Sequence, residues 1–252
     1  MNKLILAAAA ALIALTGAAN AQNVRIASEG AYAPWNFLDD HGQLAGFEIE
    51  LGNELCKRAG YTCEWVVNEW DSIIPNLQAG NYDAIMAGMS ITEERQQTID
   101  FTQNYFPPDP SKYVAAAGAS LDLANPSGLK LGAQGATIQH AYIQEHFGAN
   151  NTIQAYETAD QAMADLLAGN LDAILADSAY LEPIVAGNSA IAFVGEDVLI
   201  GNGVGMGLRK PDDELEQKFN EAISSAKQDG TLDTLIAKWF EGRGPYFSGG
   251  AG

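Results

Sequence analysis

Residues 71–88, DSIIPNLQAGNYDAIMAG, return 89 positions further on as residues 160–177, DQAMADLLAGNLDAILAD. Nine of the 18 paired positions are identical, among them Asp71/Asp160, Leu77/Leu166, Asn81/Asn170 and Asp83/Asp172. Each copy reads the same way. An Asp cap opens a helix, Gly-Asn closes it, and an apolar run (Ala84 to Ala87; Ala173 to Ala176) makes a buried strand. A period of this length is too long for a solenoid unit and predicts two similar α/β lobes. The competing reading is chance recurrence of a common helix-Gly-strand unit. In open α/β sheets, ligands bind outside the carboxyl ends of the strands. Those ends are Gly88-Met89-Ser90 in one copy and Asp177-Ser178 in the other. A cleft between lobes, lined by both ends, is the first functional expectation.

Outward from the repeat the chain alternates throughout. Strands are expected at Val24 to Ser28, Cys63 to Val67, Tyr113 to Ala117, Leu129 to Ala133 and Gly201 to Lys210. Helices are expected from Phe47 through Arg58, from Glu93 to Gln97 with Thr92 as cap, and from Thr137 to Phe147. A long amphipathic helix starts at Pro211 and ends at Asp229-Gly230, and Thr231 caps a last one through Phe240. Two segments read as crossings between lobes. Phe106 to Pro110 has three prolines in four positions, which forbids a helix, and Gly201 to Gly207 is Gly-rich. Lobe 1 then comprises residues 22–108 and 203–252, and lobe 2 residues 109–202. Two extended connections make a hinge.

Residues 1–21 read as a cleaved secretory signal. Lys3 is the charged region, Leu4 to Leu15 the apolar stretch and Ala19-Asn20-Ala21 the cleavage site. Twelve apolar residues are too few to span a bilayer. An exported protein is expected, with a mobile tail from Ser248. Removing Lys3 from 13 basic residues leaves 12 against 32 acidic ones, a net charge of −20. That argues against nucleic acid and anionic membranes as partners. Cys56 and Cys63, in an oxidising compartment, are expected to pair and pin a helix–strand corner.

Much chemistry is missing from the pattern. His41, His140 and His146 have no metal-ligand spacing and read as surface residues. There is no nucleophile elbow and no P-loop. The period-two glycines of 201–207 do not make a dinucleotide turn. No cofactor, metal or catalytic residue is expected.

What remains suits an amino acid. The run Gly88-Met89-Ser90-Ile91-Thr92 enters a helix start, where orphan N–H groups favour anions, and Arg95 lies one turn in. A planar guanidinium beside a hydroxyl fits a carboxylate; the alternative is a surface Arg95 paired with Glu93. Thr137 opens a second such helix start. Asp177, ending the second repeat's strand, either suits an ammonium group or caps the helix that follows. Glu29, Tyr32 and Trp70 would make an acidic, aromatic-walled pocket for a cationic side chain, or serve as a rim acid, a core ring and a helix staple.

At these residues the chain resembles the amino-acid-binding proteins of ABC importers, in the lysine/arginine/ornithine-, histidine-, arginine- and opine-binding branch. The matching runs include Glu29-Gly30-Ala31-Tyr32-Ala33-Pro34, Gly46-Phe47-Glu48-Ile49-Glu50-Leu51, Trp70-Asp71-Ser72-Ile73-Ile74-Pro75 and Ala87-Gly88-Met89-Ser90-Ile91-Thr92 with Arg95. The resemblance implies a two-lobed α/β clamshell of the type II periplasmic-binding-protein kind, with two crossing strands as hinge. It implies a periplasmic monomer that hands an amino acid or opine to a membrane permease. It also implies roles. Arg95 holds the α-carboxylate, helped by amides near Ser90 and Thr137. Asp177, with Ser90 and the Gly88 carbonyl, holds the α-ammonium. Tyr32 and Trp70 sandwich the side chain, and Glu29 meets its basic end. The family commonly carries a bridge like Cys56–Cys63. Ala136, where the family favours Gly, and the Pro107-Pro108-Asp109-Pro110 segment depart from its pattern. The alternatives are a dehydratase on the same fold, related to cyclohexadienyl dehydratase, and a ligand-sensing module for a membrane receptor.

Overall fold

A computed structural model describes residues 22–247. The expected signal (1–21) and mobile tail (248–252) lie outside them. The first part of the chain gives β1 (Asn23–Ser28), the short strands β2 (Ala31–Tyr32), β3 (Asn36–Leu38) and β4 (Leu44–Ala45), then α1 (Phe47–Ala59), β5 (Thr62–Val67), α2 (Trp70–Gln78), β6 (Ala84–Ile85), α3 (Glu93–Gln96) and β7 (Asp100–Phe101). The middle gives β8 (Ser111–Ala116), β9 (Lys130–Gln134), α4 (Ile138–Phe147), β10 (Thr152–Tyr156), α5 (Ala159–Leu167), β11 (Ala173–Asp177), α6 (Ser178–Gly187) and β12 (Ile191–Val198). Then come β13 (Gly207–Leu208), α7 (Asp213–Gln228) and α8 (Thr231–Trp239).

These form two five-stranded sheets, in the orders β5-β1-β6-β13-β7 and β10-β9-β11-β8-β12. The chain leaves the first after β7, builds all of the second, and re-enters the first at β13. The two crossing segments lie side by side, because Val204 bridges both Ser90 and Phe106. β1, parallel to β5 and β6, is central and covered on both faces, so Val24, Ile26 and Ala27 are all buried. Helix α1 presents Leu51 and Leu55 to the core that also holds Phe219 and Ile223 of α7 and Ile236 of α8. Each such buried leucine contributes about 1.5–3 kcal/mol. Cys56 and Cys63 form the expected disulfide between α1 and β5.

The repeat does the same work in both copies. Asp83 accepts the backbone N–H of Arg25 at 2.9 Å, and Asp172 accepts that of Lys130 at 2.7 Å. Each carboxylate thus docks its own strand turn onto the neighbouring parallel strand.

Several expectations need correction. Asp71 and Asp160 cap nothing. Helix α2 begins at Trp70 behind Glu69 with no side-chain cap, and α5 is capped by Thr158, whose hydroxyl accepts from the Gln161 N–H. Thr231 is no cap either. Gly230, in the left-handed region, precedes α8, and the Thr231 hydroxyl accepts from Arg58 instead. The stretch from Gly201 to Lys210 is a ladder strand only at β13, because Gly201 and Gly203 turn the chain at φ 83° and 87°. Helix α7 starts two residues after Pro211, and the first repeat's strand is short, Ala84–Ile85. Strands β10 and β12, absent from the expected set, are both edges of the second sheet.

Candidate functional site in the cleft between the lobes

The carboxyl ends of β1, β6, β9 and β11 converge on one cavity of about 30 Å³. Every residue expected at the site lines it. Glu29 follows β1, Tyr32 ends β2 and Trp70 opens α2. Gly88 and Ser90 follow β6, and Arg95 lies in α3. Thr137 caps α4, and Asp177 ends β11. Gln134 and Gln139, which the sequence reading left out of the site, line it too.

Thr92 caps α3 by accepting the Arg95 N–H, and this sets where the Arg95 side chain leaves the helix. The guanidinium donates to the Ser90 carbonyl at 2.8 Å and, across the cleft, to the Ala136 carbonyl at 3.3 Å. It lies 5.3 Å from the centre of the Trp70 ring, within cation–π range. Ala136 takes φ 51°, so the departure from glycine there is accommodated in the left-handed region. Thr137 spends its hydroxyl on the turn and the helix, donating to the Gln134 carbonyl and accepting from the His140 N–H.

Asp177 does not cap α6. Asp109, from the proline-rich crossing, does so through the Ser178 hydroxyl and the Ala179 N–H. Asp177 is left to accept from the Tyr32 hydroxyl at 2.8 Å and from Gln139 at 2.8 Å. The Tyr32 ring stacks on Tyr180, centroids 4.5 Å apart and nearly parallel, and Tyr180 in turn donates to Asp160. Glu29, buried on the facing side, accepts from Gln134 at 2.6 Å. The Trp70 indole N–H is buried without a partner among the described residues.

Burial moves all three charged groups toward neutrality. It raises the Glu29 carboxyl to about 7; the Gln134 hydrogen bond opposes this, and Asp160, Asp71 and Glu48 add to it. It raises Asp177 to about 6, against the Tyr32 hydrogen bond. It lowers Arg95 to about 10, although Asp177 pulls the other way. The two repeated aspartates, freed from capping, therefore add to the negative field around Glu29 from opposite lobes. The cleft offers one cation at one end and carboxylates at two others, with aromatic faces between, and it is short of positive charge.

Among the described residues no group of His, Cys, Asp and Glu is placed to hold a metal. No helix among them is long and apolar enough to cross a membrane.

Comparison with known proteins agrees with this geometry. The chain is 37% identical over 256 residues to the lysine/arginine/ornithine-binding periplasmic protein of Escherichia coli, covering 96% of this chain and 98% of that protein. It is 38% identical over 252 residues to the L-arginine-binding protein of Pseudomonas aeruginosa, covering 95% and 97%. A periplasmic His/Glu/Gln/Arg/opine family-binding protein from Silicibacter pomeroyi, solved in complex with lysine, superposes with a TM-score of 0.83 at 56% identity, over 88% of this chain and 100% of that one. The family model of bacterial extracellular solute-binding proteins, family 3, matches residues 24–242, and the chain belongs to that family.

Proposed function

We propose that this is a periplasmic solute-binding protein that captures an L-α-amino acid with a basic side chain, or a related opine, and presents it to an ABC permease. The observation that carries the reading is the convergence of Arg95, Asp177 and Glu29 on one cavity between the lobes. Arg95 takes the α-carboxylate and Asp177 the α-ammonium. Glu29 takes the cationic end of the side chain, along the Trp70 and Tyr32 rings. The ligand's two cations replace the positive charge that the cleft lacks. The lysine complex of the Silicibacter pomeroyi protein supports a basic ligand. The reading needs no turnover and no cofactor.

Lobe 1 (22–108 and 203–252) and lobe 2 (109–202) part to admit ligand, because a cavity of about 30 Å³ holds only a few waters. Tyr32–Asp177, Glu29–Gln134 and Arg95–Ala136 all cross the cleft and must separate first. The expected result is a smaller radius of gyration by small-angle scattering with saturating arginine than without it. An unchanged radius, with binding confirmed by calorimetry, counts against closure about the two crossings.

Specificity is tested at Glu29. Glu29→Gln weakens arginine binding by roughly 1.5 kcal/mol, the low end for a hydrogen bond to a charged group, because Gln134 already occupies one oxygen. Neutral amino acids are nearly unaffected. The same group sets the pH dependence. A carboxyl raised to about 7 holds its proton below that pH and must release it to meet a cation. Arginine affinity of the wild type therefore rises with pH up to about 7, and the step flattens in Glu29→Gln. Stability without ligand runs the other way. Raised carboxyls at Glu29 and Asp177 stabilise the closed fold fully below the unfolded carboxylate range, and that contribution is lost as pH rises through about 6 to 7. Calorimetry from about pH 5 to pH 8 reads both trends. Tight binding of glutamate with indifference to arginine, lysine and histidine sinks the basic-ligand reading.

A further inference from the structure

Glu48 is completely buried behind the cleft and takes no part in the ligand contacts just proposed. It sits in the first turn of α1, yet its side chain serves three other segments. One carboxyl oxygen accepts the Gly88 N–H at 2.7 Å and the Tyr105 hydroxyl. The other accepts the Asn36 amide at 2.7 Å. Asn36, also completely buried, uses its own carbonyl to accept the Gly30 N–H at 2.7 Å. Among the described residues no cation contacts Glu48, so three donors hold it in place of a salt bridge.

The ends of these bonds matter. Gly30 follows Glu29, and Gly88 precedes Ser90, whose carbonyl orients the Arg95 guanidinium. Gly88 stands at φ 63°, a corner that few residues adopt and that a fixed N–H partner holds. Tyr105 lies at the first crossing, where its N–H pairs with the Val204 carbonyl of the second. One side chain therefore joins the corner that carries Glu29, the corner that leads to Arg95, and the hinge.

We propose that Glu48, acting through Asn36 and Gly88, is the positioning residue that preorganises the lobe-1 half of the binding site. It presets the distance between the group that meets the ligand's carboxylate and the group that meets its side chain. This deepens the function proposed above and rests on it. A site held in its bound geometry before the ligand arrives loses less ordering entropy on binding.

The donor pattern supplies a test that a generic packing role would not pass. Glu48→Gln keeps the shape but turns one acceptor into a donor. If the new carbonyl serves Gly88 and Tyr105, the new NH2 faces the Asn36 NH2. If Asn36 then flips, its NH2 meets the Gly30 N–H. One buried donor is left unpaired in either case. Adding Asn36→Asp resolves the conflict, because one carboxyl oxygen accepts from the new amide and the other from the Gly30 N–H. The double variant keeps the net charge and volume of the pair and reverses the polarity of a single hydrogen bond.

Arginine affinity by calorimetry and thermal midpoints are compared for the wild type, E48Q, N36D/E48Q and Asn36→Ala. E48Q is expected to bind about tenfold or more weakly, the loss for a buried donor without a partner, and N36D/E48Q to recover most of it. Wild-type-like affinity in folded E48Q overturns the proposal. So does a folded double variant that recovers nothing, since the loss would then not lie in the hydrogen-bond pattern. If E48Q does not fold, Asn36→Ala decides. It removes the Gly30 arm together with the Asn36 donor to Glu48 but leaves the Gly88 arm in place, and arginine binding should again fall about tenfold. Unchanged affinity in a folded Asn36→Ala overturns the proposal. A wild type that ignores arginine is a failure of the proposed function and not of this one. The same proteins are then compared with whichever of lysine, histidine or glutamine the wild type takes, because the Gly88 arm serves any α-amino acid.

Discussion

Arg95→Ala and Asp177→Ala are each expected to weaken binding of every α-amino acid, whatever its side chain, by about 2–5 kcal/mol, the cost of removing one partner of a buried charge pair. The two losses have different companions. Without Arg95, the Ser90 and Ala136 carbonyls lose a donor and the Trp70 ring loses its cation. Without Asp177, the Tyr32 hydroxyl and the Gln139 amide lose their common acceptor. Asp177→Asn is the gentler control, because it keeps an oxygen for one of the two donors but no charge for an ammonium. Titration calorimetry with arginine and with one neutral amino acid decides the matter. Affinity near that of the wild type in either alanine variant, with the fold intact, removes that residue from the site.

The second large effect is expected on stability rather than on affinity. Arg243, in the turn after α8, donates to Asp109 at 2.6 Å, to Glu182 at 2.9 Å and 3.1 Å, and to the Ser178 hydroxyl at 2.8 Å. It thereby ties the C-terminal segment to the proline-rich crossing and to α6. The Arg243 side chain keeps 10% of its exposure and Asp109 keeps 16%. Burial alone would lower the Arg243 pKa, but the two carboxylates raise it. Arg243→Ala leaves two acids facing each other without a cation. Breaking a buried pair costs about 3–5 kcal/mol; with Glu182 41% exposed, about 2–3 kcal/mol is expected here. For a chain of this size that lowers the thermal midpoint by roughly 5–10 °C. Arginine affinity should change less than stability, since Asp109 still caps α6. A midpoint within about 1 °C of the wild type would show the network to be worth no more than a surface pair.

Much of this was legible in the chain itself. The 89-residue repeat announced two lobes because the same local signals, helix then Gly-Asn then apolar run, recur with the same Asp83/Asp172 clasp. The Thr92 cap and the position of Arg95 one turn later depend only on neighbours within a helical turn, so sequence suffices for them. The site residues stood out because strand ends and helix starts are local features, and the resemblance then joined them.

What sequence could not settle depended on partners far along the chain. Asp71 and Asp160 read as caps, but Thr158 took that place in α5 and α2 started without one, so both acids are left to add to the negative field around Glu29. Edge strands β10 and β12 are half-exposed, so polar residues interrupt their apolar runs and leave no clear pattern. Gln134 and Gln139 look like ordinary polar residues until folding sets them against Glu29 and Asp177. Glu48 shows the limit most clearly. In sequence it is one acid among several at a helix start, and only tertiary packing, by removing water and supplying three donors, turns it into the link between two corners of the site. Local patterns determined the elements and the order of the lobes, because helices, strands and turns are specified by near neighbours. The charge states and the cross-cleft bonds were decided by burial, which no short stretch of sequence encodes.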